Sequence, residues 1–231
     1  MSVMGKLFDL DSPLFSGLNK LADLIYLNIL TMICCIPIIT IGASMTALNY
    51  VALKIVRNEE GYITRAFFKS FKQNFKQATV IWLLLLVIAG VLAGDVFIFS
   101  YSTLTFPAWM RIALAVVAFI LVFAMMHVFP VLARFENSIK QTLKNSLYMG
   151  ILSLPKTILM MVCWAVPIVI TIFFFQAFPI VFALGISGPT FVCALLYNKT
   201  FKRFEPEENA DEWTLETEEE MDHADNTEST G

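Results

Sequence analysis

Long apolar runs alternate with short polar or basic segments along most of the chain, and residues 64–101 show the pattern most clearly. The first half of this stretch has phenylalanines on one side of a helix and basic residues on another, at three- and four-residue steps. The phenylalanines are Phe67, Phe68, Phe71 and Phe75, and the basic residues are Arg65, Lys69, Lys72 and Lys76. The second half is apolar for about twenty residues, enough at ~1.5 Å per residue to cross ~30 Å of hydrocarbon. The stretch predicts a basic amphipathic surface helix that leads into a membrane span.

The other apolar runs predict further crossings. A first run covers 18–36, and after Pro37 a second helix of about seventeen residues is expected to return across the bilayer. Later spans are expected at about 78–101, 107–133, 156–177 and 179–199. The fold class predicted is an all-α polytopic membrane protein with a bundle of six transmembrane helices. The alternative is that 18–57 form one long kinked span, which gives five.

The distribution of positive charge predicts the orientation. Segments 54–76, 134–156 and 199–203 hold nearly all the lysines and arginines, whereas the connections at the opposite ends of the spans hold none. Lysine and arginine are retained on the cytoplasmic side, so these segments are expected in the cytoplasm together with the C-terminus. Six spans place the N-terminus in the cytoplasm as well, and five place it outside.

A short internal repeat links two of the basic segments. Residues 70–78 read SFKQNFKQA and residues 138–146 read SIKQTLKNS, so that Lys140 and Lys144 correspond to Lys72 and Lys76. This predicts two cytoplasmic basic amphipathic helices and a parallel duplication, with chance similarity as the alternative. One interpretation is binding to anionic lipid, to which each exposed charge would contribute ~1 kcal/mol of binding free energy. A second is docking of a cytoplasmic partner. The simplest alternative is that the helices only anchor the protein at the membrane interface. The candidate surface consists of Arg65, Lys69, Lys72, Lys76, Lys140 and Lys144.

Composition supports the membrane class and divides the chain. Hydrophobic residues make up 58% and charged residues 15%. All 16 basic residues precede position 204 together with 7 acids, a net charge of +9, and the other 12 acids follow. We expect an interfacial segment at 1–17, a transmembrane domain at 18–203 and a disordered acidic cytoplasmic tail at 204–231. No nucleic-acid partner is expected.

Two segments together carry a family resemblance. They are PIITIGASMTAL, with Pro37, Thr40 and Gly42, and FFKSFKQNFKQAT followed by the span that contains Trp82. Over about residues 5–203 the chain resembles the YesL-like family of bacterial integral membrane proteins, a domain of unknown function. The resemblance implies a Gram-positive bacterial cell membrane and genes for carbohydrate uptake and polysaccharide degradation nearby. It implies no catalytic residues. The leading hypothesis is therefore an accessory or regulatory component linked to carbohydrate uptake, with a sugar permease complex as its partner.

Two charges lie within predicted spans. Asp95 and Arg111 are each about five to seven residues from the short connection at 102–106, so they would meet near the outer face. The functional interpretation is a gate or a site for an anionic group. The alternative is a structural ion pair, or two side chains that snorkel separately to the interface.

Other polar or helix-breaking residues are expected near the midplane. Asn28 and Asn49 are polar, and the sequence GISGP, with Gly188 and Pro189, predicts a break halfway along the last helix. Transporters use such breaks to present helix ends to a substrate, whereas neighbouring helices heal many proline kinks. The alternative function is therefore a small transporter or channel with a path near the broken last helix.

The remaining candidates favour packing over chemistry. His127 is expected to pack, the four cysteines to act as small buried hydrophobes, and Gly90 with Gly94 to allow a close helix contact inside the bundle. No glycine-rich phosphate loop, HExxH helix, GxSxG elbow or paired acidic motif occurs in the sequence. We expect no enzyme activity, no cofactor and no metal site.

Overall fold

Helices follow the apolar runs. The computed structural model describes residues 13–59, 61–101, 107–135 and 137–204, and within these ranges all regular structure is helical. The α-helices are α1 (Pro13–Cys34), α2 (Ile41–Arg57), α3 (Ile63–Tyr101), α4 (Ala108–Arg134), α5 (Ile139–Leu152), α6 (Leu154–Phe173), α7 (Phe178–Leu184) and α8 (Ser187–Phe204). Short 3₁₀ turns occupy Ile38–Thr40 and Phe175–Ala177. The all-α prediction is confirmed; most of the predicted interfacial segment and nearly all of the acidic tail lie outside the described residues.

Within the described ranges five helices are long and apolar enough to cross a membrane, and a bent pair forms a sixth candidate. The five are α1 from Gly17, α2 with its preceding turn, α3, α4 and α6. The pair is α7 and α8, which meet at an angle of 50°. The prediction of five or six spans is confirmed, and the choice between the two numbers lies at the last span, not the first.

The first two helices form an antiparallel hairpin. Lys20, near the start of α1, donates a hydrogen bond to the side chain of Asn58, which follows the end of α2. At the turn, Thr40 Oγ1 donates to the carbonyl of Cys34 over 2.6 Å. Pro37 favours the turn because it lacks an N–H and disfavours helical backbone at the residue before it. The alternative of one long kinked span over 18–57 is therefore excluded.

Helix α2 is the centre of the bundle. In the most apolar 18-residue window of α2 and its preceding turn 67% of the residues are buried, against 11–22% in the corresponding windows of the other four single-helix candidates. Small residues allow the neighbouring helices to approach closely, and they include Gly42, Ala43, Ala47 and Ala52. The apolar character of α2 therefore serves contact with protein more than contact with lipid.

Both predicted parts of the stretch 64–101 lie on the single unbroken helix α3. Its 39 residues correspond to ~58 Å, about twice the hydrocarbon thickness. Phe67 is fully buried in a cluster with Leu27 and Leu48, whereas Phe68 and Phe75 stay partly exposed. Simple interfacial anchoring therefore does not describe the phenylalanine face, because its most buried member packs on α1 and α2.

The buried core occupies one end of the long helices. The last buried residue of α3 is Leu85, and the first buried residue of α4 is Phe123. Beyond them Gly90 and Gly94 are exposed, and a Cβ placed on either would meet nothing within 4 Å. The expectation that this glycine pair makes a close contact inside the bundle is wrong, because both residues lie beyond the core on a surface that no other described helix covers.

Candidate functional site

The basic ends of the helices meet at one end of the bundle. Arg57 Nε, at the end of α2, donates to Asn198 Oδ1 of α8 over 3.0 Å. Lys156 Nζ, at the start of α6, donates to Thr200 Oγ1 over 2.6 Å. The predicted grouping of basic segments on one side is thus present in the packing, and we call this part of the bundle the basic end.

The two copies of the repeat touch each other at the basic end. Gln77 Nε2 donates to the carbonyl of Asn137 over 2.5 Å and to Thr142 Oγ1 over 3.3 Å. Four lysines at equivalent repeat positions are exposed, and we call them the lysine surface: Lys72, Lys76, Lys140 and Lys144. The two copies lead into different structures. The first continues into the rest of α3. The helix of the second, α5, ends at Leu152, and Pro155 lies in the first turn of α6.

A cavity of about 870 Å³ opens between α1 and the start of α3. Asp23 and Tyr26 line it from α1. The opposite wall presents two aromatic side chains and three basic ones, namely Tyr62, Phe68, Arg65, Lys69 and Lys72. We call this cavity the basic groove. The sequence predicted its three cations as candidates and missed Asp23 and Tyr26, because their partners lie about forty positions later and no short-range spacing links them.

One contact between the two walls and one within the second wall shape the groove. The hydroxyls of Tyr26 and Thr64 lie 2.7 Å apart and share a hydrogen bond. The guanidinium of Arg65 lies 6.0 Å from the ring centroid of Tyr62, within the range of a cation–π contact. Helix α3 starts at Ile63 in the groove, so its positive dipole end adds to the field of the three cations. The wall on α3 therefore combines three basic side chains with a helix N-terminus, opposite the carboxylate of Asp23 on α1.

Asn28 holds the break in the last helix. The predicted break is confirmed at residues 185–186, between α7 and α8. Asn28 Nδ2 donates to the carbonyl of Phe182 over 2.8 Å, and Asn28 Oδ1 accepts from the N–H groups of Ile186 and Ser187 at 3.1 and 2.9 Å. One fully buried side chain thus bonds a backbone group on each side of the break.

The other deep polar residues also bond to the protein. Asn49 Nδ2 donates to the carbonyl of Met45, and Asn49 Oδ1 accepts from the hydroxyl of Tyr197 at 3.2 Å. His127 is buried, as expected, and shares a hydrogen bond of 2.9 Å with Thr157 Oγ1. Gly188 and Pro189 are half-buried in the first turn of α8. Of the four cysteines, all free thiols, Cys193 is buried as expected and the others are only half-buried.

The two charges predicted within the spans lie on different helices. Asp95 is half-buried on α3, and Arg111 is exposed on α4. Among the residues with described positions, neither a hydrogen bond nor an ion pair joins them. Both lie outside the buried core, which does not extend past Leu85 on α3 or begin before Phe123 on α4, so the structure does not assemble them with Asn28 into one site.

Comparison with known proteins finds one matching family model. A family model described as protein of unknown function, DUF624, matches residues 24–96. The matched region covers most of the α1–α2 hairpin and most of α3, and so nearly all of the basic groove. No curated protein and no solved structure matches the chain. The DUF624 match supports an uncharacterised membrane-protein domain and names no activity.

Proposed function

We propose that the protein is an accessory or regulatory membrane component linked to carbohydrate uptake. The observation that carries the proposal is the lysine surface, where two touching helices present Lys72, Lys76, Lys140 and Lys144 to the outside. Exposed charges on a rigid support suit recognition of an acidic partner, because complementary charge raises association rates and excludes wrong partners. The positive-inside rule supports a cytoplasmic position for this surface. The resemblance to the YesL-like family supports a bacterial cell.

The polar residues at depth support docking over conduction. Asn28, Asn49 and His127 are buried, and their side chains form hydrogen bonds with other groups of the protein. A small transporter or channel with a path near the bent last helix is the competing function, and the 50° bend favours it. That function needs helix ends that a substrate can reach, and Asn28 already occupies them.

The link to carbohydrate uptake comes from the resemblance to the YesL-like family. It points to a sugar permease complex as the partner, with an acidic cytoplasmic face that meets the lysine surface. Such a contact would be polar and sensitive to salt, since exposed charges are screened over ~8 Å at physiological ionic strength.

Site-specific photocrosslinking in the native host tests the proposal. A photoreactive amino acid replaces Gln141, an exposed residue between Lys140 and Lys144. The matched control replaces Val117, which is 46% exposed on the outer half of α4. We expect position 141, and not 117, to give an adduct that mass spectrometry identifies as a subunit of a carbohydrate permease. We also expect Lys140→Gln/Lys144→Gln to reduce the yield of that adduct by about tenfold.

Two outcomes would reject the proposal. One is an adduct pattern at position 141 that lacks any permease subunit or that equals the pattern at position 117. The other is solute flux by the purified protein in liposomes that is lost in Asp95→Asn or Gly188→Leu, which would establish the transporter instead.

A further inference from the structure

We propose that the basic groove binds the phosphate-bearing headgroup of an anionic phospholipid whose acyl chain lies along the exposed face of α1. The lining of the groove presents three basic side chains and one carboxylate. At about 870 Å³ it lies in the range of small-molecule sites and is far larger than one inorganic ion needs. The ligand is therefore a phosphate that carries a larger group.

The chemistry of the two walls sets what that group is. The guanidinium of Arg65 can hold a phosphate through two parallel hydrogen bonds, and Lys69 and Lys72 add point charges on the same wall. Asp23 faces them from α1 and repels a bare anion. A carboxylate in this position accepts hydrogen bonds from hydroxyl groups. The walls together suit a phosphodiester with a hydroxyl-bearing headgroup, such as that of phosphatidylglycerol.

An apolar stripe continues from the groove along α1. Tyr26, Ile29 and Ile33 are 47%, 46% and 58% exposed, and their three- and four-residue steps place them on one helix face. From Asp23 to Ile33 the helix rises ~15 Å, which is the depth of one leaflet of a ~30 Å hydrocarbon core. A headgroup in the groove would therefore have its acyl chain on the stripe, an arrangement that a soluble phosphate could not use.

The acidic tail after Phe204 is the other occupant to consider, since it holds twelve acids. A peptide would use the cations but would have no need of an apolar stripe that extends one leaflet away from them. The stripe therefore favours the lipid. The groove shares Lys72 with the lysine surface but includes none of its residues on α5, so phospholipid binding by the purified protein can be measured separately from the proposed docking to a permease.

Native mass spectrometry on the purified full-length protein tests the site, with phosphatidylglycerol and phosphatidylcholine as probes. We expect a preference for phosphatidylglycerol that Arg65→Gln/Lys72→Gln reduces by about tenfold or more. Lys199→Gln/Lys202→Gln removes the same charge from two exposed positions on α8 and should leave the preference within about twofold. Thermal melting of each variant shows that it is folded, and the single variant Lys72→Gln should give an intermediate loss.

Two further measurements distinguish a bound phospholipid from a soluble phosphate and from the acidic tail. Ile29→Asn/Ile33→Asn should weaken the lipid complex, and soluble glycerol phosphate should bind the wild-type protein far more weakly than the lipid does. Equal binding of the two phospholipids, equal losses in both charge variants, or glycerol phosphate binding as tight as lipid would overturn the proposal. So would competition by a peptide of residues 205–231 in the absence of any phospholipid preference, because the tail would then be the ligand.

Discussion

Replacing Asn28 with leucine should destabilise the protein by about 3 kcal/mol or more. The substitution removes one bond to the carbonyl of Phe182 and two from the N–H groups of Ile186 and Ser187. Each backbone group would be left without a partner in a water-poor setting, at a cost of about 1–3 kcal/mol. The measurement is the free energy of unfolding in detergent or lipid, monitored by helical circular dichroism.

Two companion variants show whether the helix break is the cause. Among the described residues Asn74 bonds only to Ser70 on its own helix, so Asn74→Leu should cost under about 1 kcal/mol. Asn28→Asp retains the acceptor for Ile186 and Ser187 but turns the donor to Phe182 into an acceptor, and it should fall between the two leucine variants. If Asn28→Leu were no worse than Asn74→Leu, the side chain of Asn28 would not be what holds the break together.

Gly42→Leu should prevent correct packing of the hairpin on α3. A Cβ at position 42 would lie 2.5 Å from the carbonyl oxygen of Ala78 and 2.7 Å from Cβ of Trp82. The obstacle is the backbone of α3, which cannot rotate away as a flexible side chain can. This close approach also places Trp82 Nε1 2.9 Å from the carbonyl oxygen of Ile38, to which it donates a hydrogen bond. The substitution would therefore remove this hydrogen bond together with the helix contact. Overpacking of this kind costs about 1–3 kcal/mol for small insertions, and a leucine should exceed that range.

The exposed glycines of α3 provide the control for this prediction. Gly90→Leu adds the same side chain to a position where a Cβ meets nothing within 4 Å. It should leave the folded yield unchanged or raise it slightly, because leucine favours helix over glycine by about 0.8 kcal/mol. The measurement is the fraction of protein that elutes as a single species in size-exclusion chromatography. A Gly42→Leu fraction that matches the Gly90→Leu fraction would refute the close approach of α2 to α3.

The sequence predicted well whatever depends on short-range spacing. The apolar runs located the spans, the seventeen-residue length of α2 was predicted, and GISGP placed the break in the last helix. These features follow from chain stiffness, helix rise and the missing N–H of proline, which act within a few residues. The grouping of basic segments was predicted for the same reason, since charge is read directly from composition.

Features that depend on distant partners could not be predicted from the sequence. Asn28 bonds to residues more than 150 positions later, and Tyr26 bonds to Thr64 across the hairpin. Phe67 has the same spacing as Phe68 and Phe75, yet it alone of the three is buried, because α1 and α2 happen to lie on its side. The predicted close contact at Gly90 and Gly94 was wrong for a related reason. Their spacing permits a helix to approach closely, but the sequence does not show whether a neighbouring helix lies there.

Together these features describe a bundle with two different parts. The buried core surrounds α2 and uses its polar side chains for internal hydrogen bonds, whereas the basic end offers the groove and the lysine surface to the outside. Recognition is therefore expected at the basic end, and substitutions in the core are expected to act through stability.

Cysteine labelling in intact cells is the most direct test, because both the docking and the lipid proposals require the basic end to face the cytoplasm. Single cysteines replace Gln141 at the basic end and Trp109 at the opposite end of α4, in a version without the four native cysteines. An impermeant maleimide should label Trp109→Cys at once and Gln141→Cys only after the membrane is permeabilised. Labelling of Gln141→Cys in intact cells would contradict this orientation and with it the cytoplasmic placement of both surfaces.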